Sequence, residues 1–420
     1  MVYPVIRAAL VCCLLTVFSY PATAETDLGG DAIRVSGFVN IGITQGGSET
    51  LGFRRDLSRE GIFDGETSIK PDSLIGLQLD SSFTDTFDAI LQLVGREQVA
   101  NSFENSIQRA YFRYRGTPST TFRLGRVGTD IYMLSDYRNI GFAYLWVRPP
   151  MDFYSAAFDH IDGADFVYNK ALSRGTLKLR LFAGETKYVF KFSGEERGFK
   201  ITPVLGASAF WESNHWQARF SVTSLGFDEK SVDDNMGTAE LRDALRQAAL
   251  VGWNEASDVA DMLEVKDTGI IYYSMGLGYD KSNWIIQSEA SFIESDFDLY
   301  RDLVSYYLSA GYRIGDAKIY AITARARASE QRIHVAAPPF DDPSINFLRD
   351  TTQNVFDATY INQETNSLGI RWDLRYDLAL KLQWDHTSIA AVGGALWDQK
   401  AIPRKPTSIN IYAINLNYVF

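Results

Sequence analysis

The chain has 420 residues, of which 46% are hydrophobic, 13% aromatic and 22% charged, and its formal net charge is −11. This composition excludes intrinsic disorder, a collagen-like chain and a disulfide-stabilised miniprotein. A membrane-spanning helix needs about 20 consecutive apolar residues. No such run follows residue 20, so a polytopic helical membrane protein is excluded as well. The acidic balance argues against a nucleic acid partner, because nucleic acids bind positively charged surfaces.

Residues 1–24 are typical of a secretory signal peptide. Arg7 precedes an apolar stretch at 8–20, and small residues surround Ala24 at the expected cleavage site. Both cysteines, Cys12 and Cys13, fall within this segment, so the mature chain would hold no disulfide. An uncleaved N-terminal anchor is the alternative. We therefore expect an exported protein with a single domain over residues 25–420.

An alternation with a period of two residues runs through the rest of the chain. At its end Tyr412, Ile414, Leu416, Tyr418 and Phe420 alternate with mostly small or polar residues. In other segments arginine and lysine alternate with aliphatic and aromatic residues. A strand with one apolar and one polar face suits a wall between lipid and water. The alternative for the last segment is the final strand of a soluble β-sandwich.

Sixteen segments show this alternation, and each is near the length of about 9–11 residues that a tilted strand needs to cross a bilayer. Short connections of about 2–5 residues alternate with long ones, as in barrels with short periplasmic turns and long outer loops. We therefore predict an all-β, antiparallel, 16-stranded, up-and-down transmembrane barrel. The predicted strands are 32–44, 72–80, 86–95, 106–115, 120–127, 164–171, 175–184, 200–212, 215–224, 269–280, 283–293, 302–314, 317–326, 365–376, 379–388 and 410–420. The predicted long connections are 45–71, 96–105, 128–163, 185–199, 225–268, 294–301, 327–364 and 389–409.

The connection 128–163 is unusually aromatic for an exposed loop, because it contains Tyr132, Tyr137, Tyr144 and Trp146. Such a loop should pack on another part of the protein. With its sixteen strands, alternating loop lengths and terminal aromatic residue, the chain resembles the general porins of Gram-negative bacteria, which are outer-membrane barrels. The resemblance covers the mature chain in architecture more than in motifs. It implies that the third long loop folds inward and constricts the pore. The Pro-Glu-Phe-Gly-Gly run of enterobacterial members is absent, which leaves pore size and selectivity open.

In that family, acids of the third loop face basic side chains on the opposite wall, and such opposed charges filter ions. The acidic candidates here are Asp130, Asp136 and Asp152, with Asp159 near the end of the loop. The alternative is that the basic side chains only hold the loop to the wall, or are solvated. The basic candidates are Arg34, Arg96, Arg109, Arg113, Arg123, Arg371, Arg375 and Lys381.

The resemblance implies an outer-membrane porin that lets small hydrophilic solutes and ions diffuse passively, with no cofactor. It also implies a homotrimer in contact with outer-membrane lipids and lipopolysaccharide. The barrel-assembly machinery would recognise a C-terminal signal that includes Tyr418 and Phe420. One alternative is a substrate-specific uptake channel, in which the loop aromatics bind the solute at a saturable site. Another is a plugged structural or adhesive surface barrel.

Two of the long connections contain further patterns. Loop 225–268 is expected to contain helices that form a lid on the barrel mouth or, alternatively, a binding site for a partner. Loop 327–364 is interpreted as exposed turn structure around Pro338, Pro339 and Pro343. In loop 225–268, Leu241, Ala244, Leu245 and Ala248 recur at helical spacing. Asn254 or Ser257 could cap a second short helix in the same loop, which would run through Val259, Met262 and Leu263.

An enzyme is not predicted. The four histidines, His160, His215, His334 and His386, have no metal-ligand spacing, so no metal site is expected. His386 and Ser388 lie on one face of a predicted strand. The outer-membrane phospholipase needs such a pair facing lipid, but the sequence identifies no orienting asparagine beside it.

Overall fold

The structure is a computed structural model of the chain, and it describes residues 26–27, 33–100, 102–155, 158–192, 195–265, 269–329 and 332–420. The predicted signal peptide, residues 1–24, lies outside the described residues. Sixteen long antiparallel strands follow one another around a sheet. In chain order they are β1 Ile33–Gln45, β2 Leu74–Thr84, β3 Phe87–Arg96, β4 Ile107–Thr117, β5 Thr120–Gly128, β6 His160–Leu172, β7 Gly175–Phe192, β8 Glu195–Glu212, β9 Trp216–Phe227, β10 Gly269–Lys281, β11 Trp284–Ser295, β12 Leu303–Ile314, β13 Ala317–Ala328, β14 Ile361–Arg375, β15 Leu378–Gly394 and β16 Thr407–Val419.

The sheet closes where the first strand meets the last. β1 pairs with β2 on one side and with β16 on the other, where Phe38 lies opposite Val419. Beyond that pair, the backbones of Gly37 and Phe420 exchange two hydrogen bonds of 2.9 and 3.0 Å. A Cβ atom on Gly37 would clash with the Phe420 ring and lie 2.8 Å from the carbonyl oxygen of Gly76, so only glycine fits here. This closure confirms the predicted 16-stranded barrel.

The alternation in the sequence corresponds to the two faces of the wall. On β15, Leu382 and Trp384 are exposed, whereas Lys381, Gln383 and Asp385 are buried. The strands β12, β14 and β16 alternate in the same way. Exposed apolar side chains this numerous are typical of a membrane-facing surface rather than a water-facing one. None of the helices in the described part of the chain is long and apolar enough to span a membrane.

The connections alternate in length as predicted, with one exception. Seven turns of two or three residues lie at one end of the barrel, which we call the short-turn end, and the longer connections lie at the long-loop end. The predicted loop 185–199 is wrong, because only residues 193–194 separate β7 from β8. Charged residues such as Lys187 and Lys191 suggested a loop. Tyr188 and Phe190 are nevertheless buried and stack with each other, so the hairpin extends the wall.

In the described parts of the long connections lie six α-helices of 4 to 17 residues: α1 Phe103–Ser106, α2 Met151–Tyr154, α3 Glu229–Met236, α4 Thr238–Leu250, α5 Glu255–Asp261 and α6 Pro343–Thr359. The helical spacing predicted for loop 225–268 is confirmed, since Leu245 and Ala248 of α4 are buried. Asn254 precedes α5, but its side chain makes no capping hydrogen bond.

Helix α6 corrects the interpretation of residues 327–364 as turn structure alone. The carboxylate of Asp342 accepts hydrogen bonds from the backbone N–H groups of Ser344 and Ile345, at 2.8 and 3.1 Å. Pro343 follows as the first helical residue. An aspartate followed by proline is a common helix start, although the same residue pair also occurs in turns.

Apolar side chains form one continuous cluster from the barrel interior to the long-loop end. It includes Trp146 and Tyr307 in the interior, Leu245 and Trp253 from loop 225–268, and Phe356 from α6. The helices of the two long loops therefore share a core with the inside of the barrel.

A closed barrel predicts heat-modifiable mobility in a detergent gel. The unboiled protein should migrate faster than the boiled one, because a closed hydrogen-bonded sheet resists detergent. Gly37→Val should reduce the fast-migrating fraction, since the added side chain meets Phe420 and the backbone of Gly76. Gly116→Ala serves as the matched control, because a Cβ there makes only ordinary contacts of 3.4 Å or more. Equal mobility before and after boiling would contradict the barrel.

Candidate pore constriction

The segment 129–159, between β5 and β6, contacts the unexposed faces of strands around the barrel. The backbone N–H of Met133 donates to Glu289 on β11 (2.7 Å), and that of Val147 donates to Gln383 on β15 (3.0 Å). The Asn40 side chain on β1 donates to the carbonyl oxygen of Asn139 (3.0 Å). The contacting side chains lie on the faces opposite the exposed apolar residues, so these contacts occur on the inner side of the wall.

Two basic side chains hold the middle of this segment by its backbone. The Lys381 ammonium donates to the carbonyl oxygens of Gly141, Tyr144 and Trp146 at 2.6–2.7 Å. The Arg371 guanidinium donates to the carbonyl oxygens of Phe142 and Tyr144 at 2.7 and 2.8 Å. Both side chains are buried. Lys381 therefore binds carbonyl dipoles of the segment rather than loop carboxylates, and Arg371 also forms an ion pair of 2.6 Å with Asp373 on its own strand.

Two other predicted arginines hold the region where the segment approaches β3 and β4. Arg96 donates to the Asn139 side chain (3.0 Å) and forms an ion pair of 3.3 Å with Asp159. Arg109 donates to the carbonyl oxygens of Asp159 and Ser135, at 3.0 and 3.4 Å. Burial alone would raise the pKa of Asp159, but the charge of Arg96 and the hydrogen bond from His160 outweigh it and hold that pKa well below its usual value.

Arg113, Arg123 and Arg375 pair with acids on the wall and its turns rather than with the segment. Arg113 pairs with Asp88 (2.8 Å), and Arg123 forms two hydrogen bonds of 2.7–2.8 Å with Asp165, so both pair with acids on the wall. Arg34 is exposed near the start of β1. Arg375 is exposed at the end of β14 and binds Asp377 in the adjacent turn. The basic candidates thus fall into separate groups rather than one patch.

The three acidic candidates have different surroundings. Asp130 pairs with Arg219 on β9 (3.0 Å) and accepts a hydrogen bond from Ser208. Asp136 has a half-exposed side chain, 3.5 Å from the Lys178 ammonium. Asp152 is buried and accepts a hydrogen bond of 3.0 Å from Gln363. Burial raises the pKa of Asp152 above its usual value.

The loop aromatics mostly pack inside the barrel. Trp146 is buried, donates to the Ser309 hydroxyl (2.6 Å) and meets the Tyr307 ring edge-on at 5.4 Å. Tyr132 packs on Tyr154 with their ring centres 4.6 Å apart. The Tyr144 hydroxyl accepts a hydrogen bond from Arg55 (3.0 Å). Of the four predicted aromatics, Tyr132, Tyr144 and Trp146 are nearly inaccessible, at 5% exposure or less, and Tyr137 is half-buried.

An ion-pair group that the sequence analysis missed fixes the end of the segment. Arg148 lies 3.0 Å from Asp385 on β15 and also pairs closely with Asp72, which precedes β2. Arg55 lies 3.9 Å from Asp72. The alternation around Trp384 already places Asp385 on the inner face. Its partner Arg148, 237 residues away, could not be identified from that pattern.

A buried glutamate forms a second anchor that the sequence analysis missed. Besides the backbone of Met133, Glu289 accepts hydrogen bonds from the hydroxyls of Tyr307 (2.7 Å) and Tyr154. Tyr154 belongs to α2, within the segment. Glu289 lies between Ser288 and Ala290 on a strand with alternating faces. Its position as a lone acid on the inner face is the sequence feature that could have identified it as an anchor.

Two polar cavities lie on either side of the segment. The short-turn cavity, of about 670 Å³, is lined by Tyr137, Phe142, the turn residue His215 and Asp280 near the end of β10, among others. The long-loop cavity, of about 370 Å³, is lined by charged residues that include Arg96, Asp159, His160, Asp162 and Lys187. The two cavities share no lining residue.

Among the described residues, no group of three or more histidine, cysteine, aspartate or glutamate side chains is arranged to hold a metal ion. The charged side chains of the interior instead bind one another and backbone carbonyls.

Comparison with solved structures identifies porins with the same fold. OmpF of Salmonella typhi, in complex with daunomycin, superposes with a TM-score of 0.53 at 8% identity, over 94% of this chain and 100% of that chain. An anion-selective porin from Comamonas acidovorans superposes with a TM-score of 0.51 at 11% identity, over 93% of this chain and 99% of that chain. No protein-family model and no curated protein sequence matches. At these identities the likeness shows a shared fold, and a fold alone does not decide whether a barrel is also an enzyme.

Replacing Lys381 by methionine should loosen residues 141–146. The variant leaves the carbonyl oxygens of Gly141 and Trp146 without their donor, at a cost of roughly 1–3 kcal/mol for each group left unsatisfied, whereas that of Tyr144 keeps Arg371. We expect the fast-migrating folded form to be lost at a lower temperature, and the segment to be cleaved more readily by added protease. Lys170→Met is the control, because Lys170 is exposed at the end of β6. Equal stability of both variants would contradict an anchoring role.

Proposed function

We propose that the protein is an outer-membrane porin, a passive diffusion channel for small hydrophilic solutes and ions. The observation that carries this proposal is a closed barrel with an apolar outer face and a polar inner face, in which the polar short-turn cavity adjoins segment 129–159. Polar cavities inside a membrane barrel are suited to water and ions rather than to lipid.

The passage between the cavities runs, in this proposal, past Arg96, Gln108 and Asn139. Arg96 and Gln108 line the long-loop cavity, and Asn139 follows soon after Tyr137, which lines the short-turn cavity. Asn139 joins the other two through hydrogen bonds of 3.0 and 3.4 Å. These polar contacts can be exchanged for water or a hydrophilic solute more readily than the aromatic packing around Trp146.

The predicted constriction residues then divide into three roles. Arg96 and Asp159 line the long-loop cavity with side chains that are only 4% exposed, so their charges act on a passing solute through the electrostatic field. The half-exposed Asp136 can contact the solute directly. Arg371 and Lys381 hold the segment in place by its carbonyl groups. Arg34, Arg113, Arg123 and Arg375 contribute charge to the wall and its ends. Asp130 and Asp152 anchor the segment through Arg219 and Gln363.

Residues 1–24 would direct export, and the barrel would reside in the outer membrane as a homotrimer. The exposed apolar side chains on β1 and β16, such as Ile43 and Ile414, suit contact with another subunit or with lipid. Outer-membrane lipids and lipopolysaccharide would surround the rest. Tyr418 and Phe420, whose rings stack 5.9 Å apart, would form the signal for the barrel-assembly machinery.

A barrel with a plugged lumen is the second candidate, and one observation favours it. Inner-face polar residues such as Asn40, Asn417 and Lys381 are buried under segment 129–159. A lumen that is filled at this level would serve a structural or adhesive role. A substrate-specific channel is less favoured, because Tyr132, Tyr144 and Trp146 expose 5% or less of their surface, although Tyr144 and Trp146 lie in the wall of the short-turn cavity.

The purified protein should produce discrete conductance steps when added to a planar bilayer. An ohmic current over a range of solute concentrations identifies a general porin, whereas saturable block by one solute class identifies a substrate-specific channel. The boiled protein is the control. A folded, heat-modifiable preparation that produces no current would refute the porin and support the plugged barrel.

Replacing Arg96 by glutamine should shift the reversal potential in a salt gradient towards cation preference. The variant removes a positive charge beside the proposed passage and leaves Asp159 with fewer cationic partners. Single-channel conductance should change as well. Arg174→Gln, at the exposed turn between β6 and β7, is the matched control and should behave as wild type. An unchanged reversal potential in both variants would place the passage elsewhere.

A further inference from the structure

A polar group lies on the outer, exposed face of the barrel where β15 and β16 meet. His386 on β15 pairs directly with Asn410 on β16, and Ser388 follows two residues later on the same face as His386. Trp384 and Tyr412, a second cross-strand pair, precede them on the short-turn side. Aromatic residues of this kind mark the boundary between lipid tails and head groups. The polar group therefore lies at the head-group level on the long-loop side, and the proposed channel does not use it.

The hydrogen bonds of Asn410 determine which nitrogen of His386 carries the proton. The Asn410 side-chain oxygen lies 3.1 Å from the Trp384 indole nitrogen and 3.0 Å from His386 Nδ1. An indole N–H can only donate, so the atom facing it is the amide oxygen, an acceptor. His386 must therefore donate to the same oxygen through Nδ1–H. The neutral imidazole is left with a free electron pair on Nε2, which is the tautomer that a general base requires.

Ser388 is the nearest hydroxyl on the same face of β15. Two residues along a strand separate Cα atoms by about 6.6 Å at about 3.3 Å per residue. A contact between Ser388 Oγ and His386 Nε2 is not among the hydrogen bonds of these two described residues, so the proposed reaction requires a rotation of the Ser388 side chain towards the imidazole. Ser388 is exposed, as a nucleophile must be. The arrangement of a serine, a histidine and an oriented amide follows the logic of a nucleophile, base and orienting group. The sequence analysis identified the first two, whereas Asn410 is brought to His386 only by the pairing of β15 with β16.

An apolar groove of about 800 Å³ lies on the outer face next to this group. It is lined by Leu368, Leu382, Trp384, Tyr412 and Ile414, among others, and it is deepened by small residues such as Ala310 and Ala321. The groove faces the membrane, and its aromatic lining residues Trp384 and Tyr412 adjoin the polar group. An extended hydrocarbon chain suits such a surface, because almost all of its lining is apolar.

We propose that His386, Ser388 and Asn410 form a hydrolytic site for acyl esters of membrane lipids, with the fatty acyl chain in the groove. Ser388 Oγ attacks the ester carbonyl carbon and its proton moves to His386 Nε2. The bond from that carbon to the alcohol oxygen breaks, and the alcohol leaves with the proton from Nε2. Water then attacks the acyl-serine and transfers a proton to Nε2. The acyl–Oγ bond breaks, Ser388 regains the proton, and a fatty acid is released.

The test uses the full-length protein, produced in a host strain without an outer-membrane phospholipase of its own. A fluorophosphonate probe with a long alkyl chain should label Ser388 covalently, as read by mass spectrometry of the labelled peptide. The protein in mixed micelles should also hydrolyse a fluorogenic long-chain acyl ester. Ser388→Ala should abolish both signals, and Asn410→Ala should slow them roughly hundredfold, because it removes the group that orients the base. Ser408→Ala, which removes the exposed hydroxyl opposite Ser388, should behave as wild type.

Each variant is checked for heat-modifiable mobility and bilayer conductance, so a misfolded barrel is recognised. Conductance should be the same in Ser388→Ala and wild type, which separates this proposal from the porin proposal. A folded wild-type protein that is neither labelled nor hydrolytic would overturn the site. Labelling or hydrolysis that persists in Ser388→Ala would overturn it equally.

Discussion

The structure depends on satisfying every backbone hydrogen-bonding group of a sheet that faces hydrocarbon. Lipid offers no partners to an open sheet edge, so the first and last strands must pair. Gly37 and Phe420 exchange backbone hydrogen bonds at this junction, and the aromatic ring at the end of the chain covers the glycine. Once the sheet is closed, each strand has one face towards lipid and one towards the interior. The period of two in the sequence is the direct result.

The interior faces a second constraint, because charges there are shielded from water. The barrel pairs some of them with one another, as in Arg123 with Asp165 and Arg148 with Asp385. Others bind the backbone of segment 129–159, and Lys381 alone accounts for three of its carbonyl groups. A segment made mostly of turns and bends has many carbonyl groups that neither a sheet nor a long helix satisfies. Basic residues on the wall therefore stabilise the segment as well as set the electrostatic field.

The strands could be predicted from the sequence to within a few residues, because alternation is a local pattern. The two main errors arose where local patterns are ambiguous. Charged residues around Lys187 suggested a loop, although Tyr188 and Phe190 continue the strand. The pair Asp342 and Pro343 suggested a turn, although it begins a helix. For the contacts between segment 129–159 and the inner wall, the sequence could predict the types of residue involved but not which residues contact each other. Lys381 and Gly141 are 240 residues apart, and no local pattern connects them. The contact between Asn410 and His386 could not be predicted either, because it results from the register in which β15 pairs with β16.

The continuous core that links α4 and α6 with the barrel interior limits which residues of these two helices can be replaced independently of the interior. Leu245 and Phe356 belong to helices at the long-loop end, yet their side chains pack in the same cluster as Trp146. Exposed residues of those helices, such as Leu250 and Phe347, can be replaced with little effect on the interior. Replacements on their buried side alter the packing around segment 129–159. A change in the helices at the long-loop end is thereby tied, through one apolar cluster, to the shape of the barrel interior.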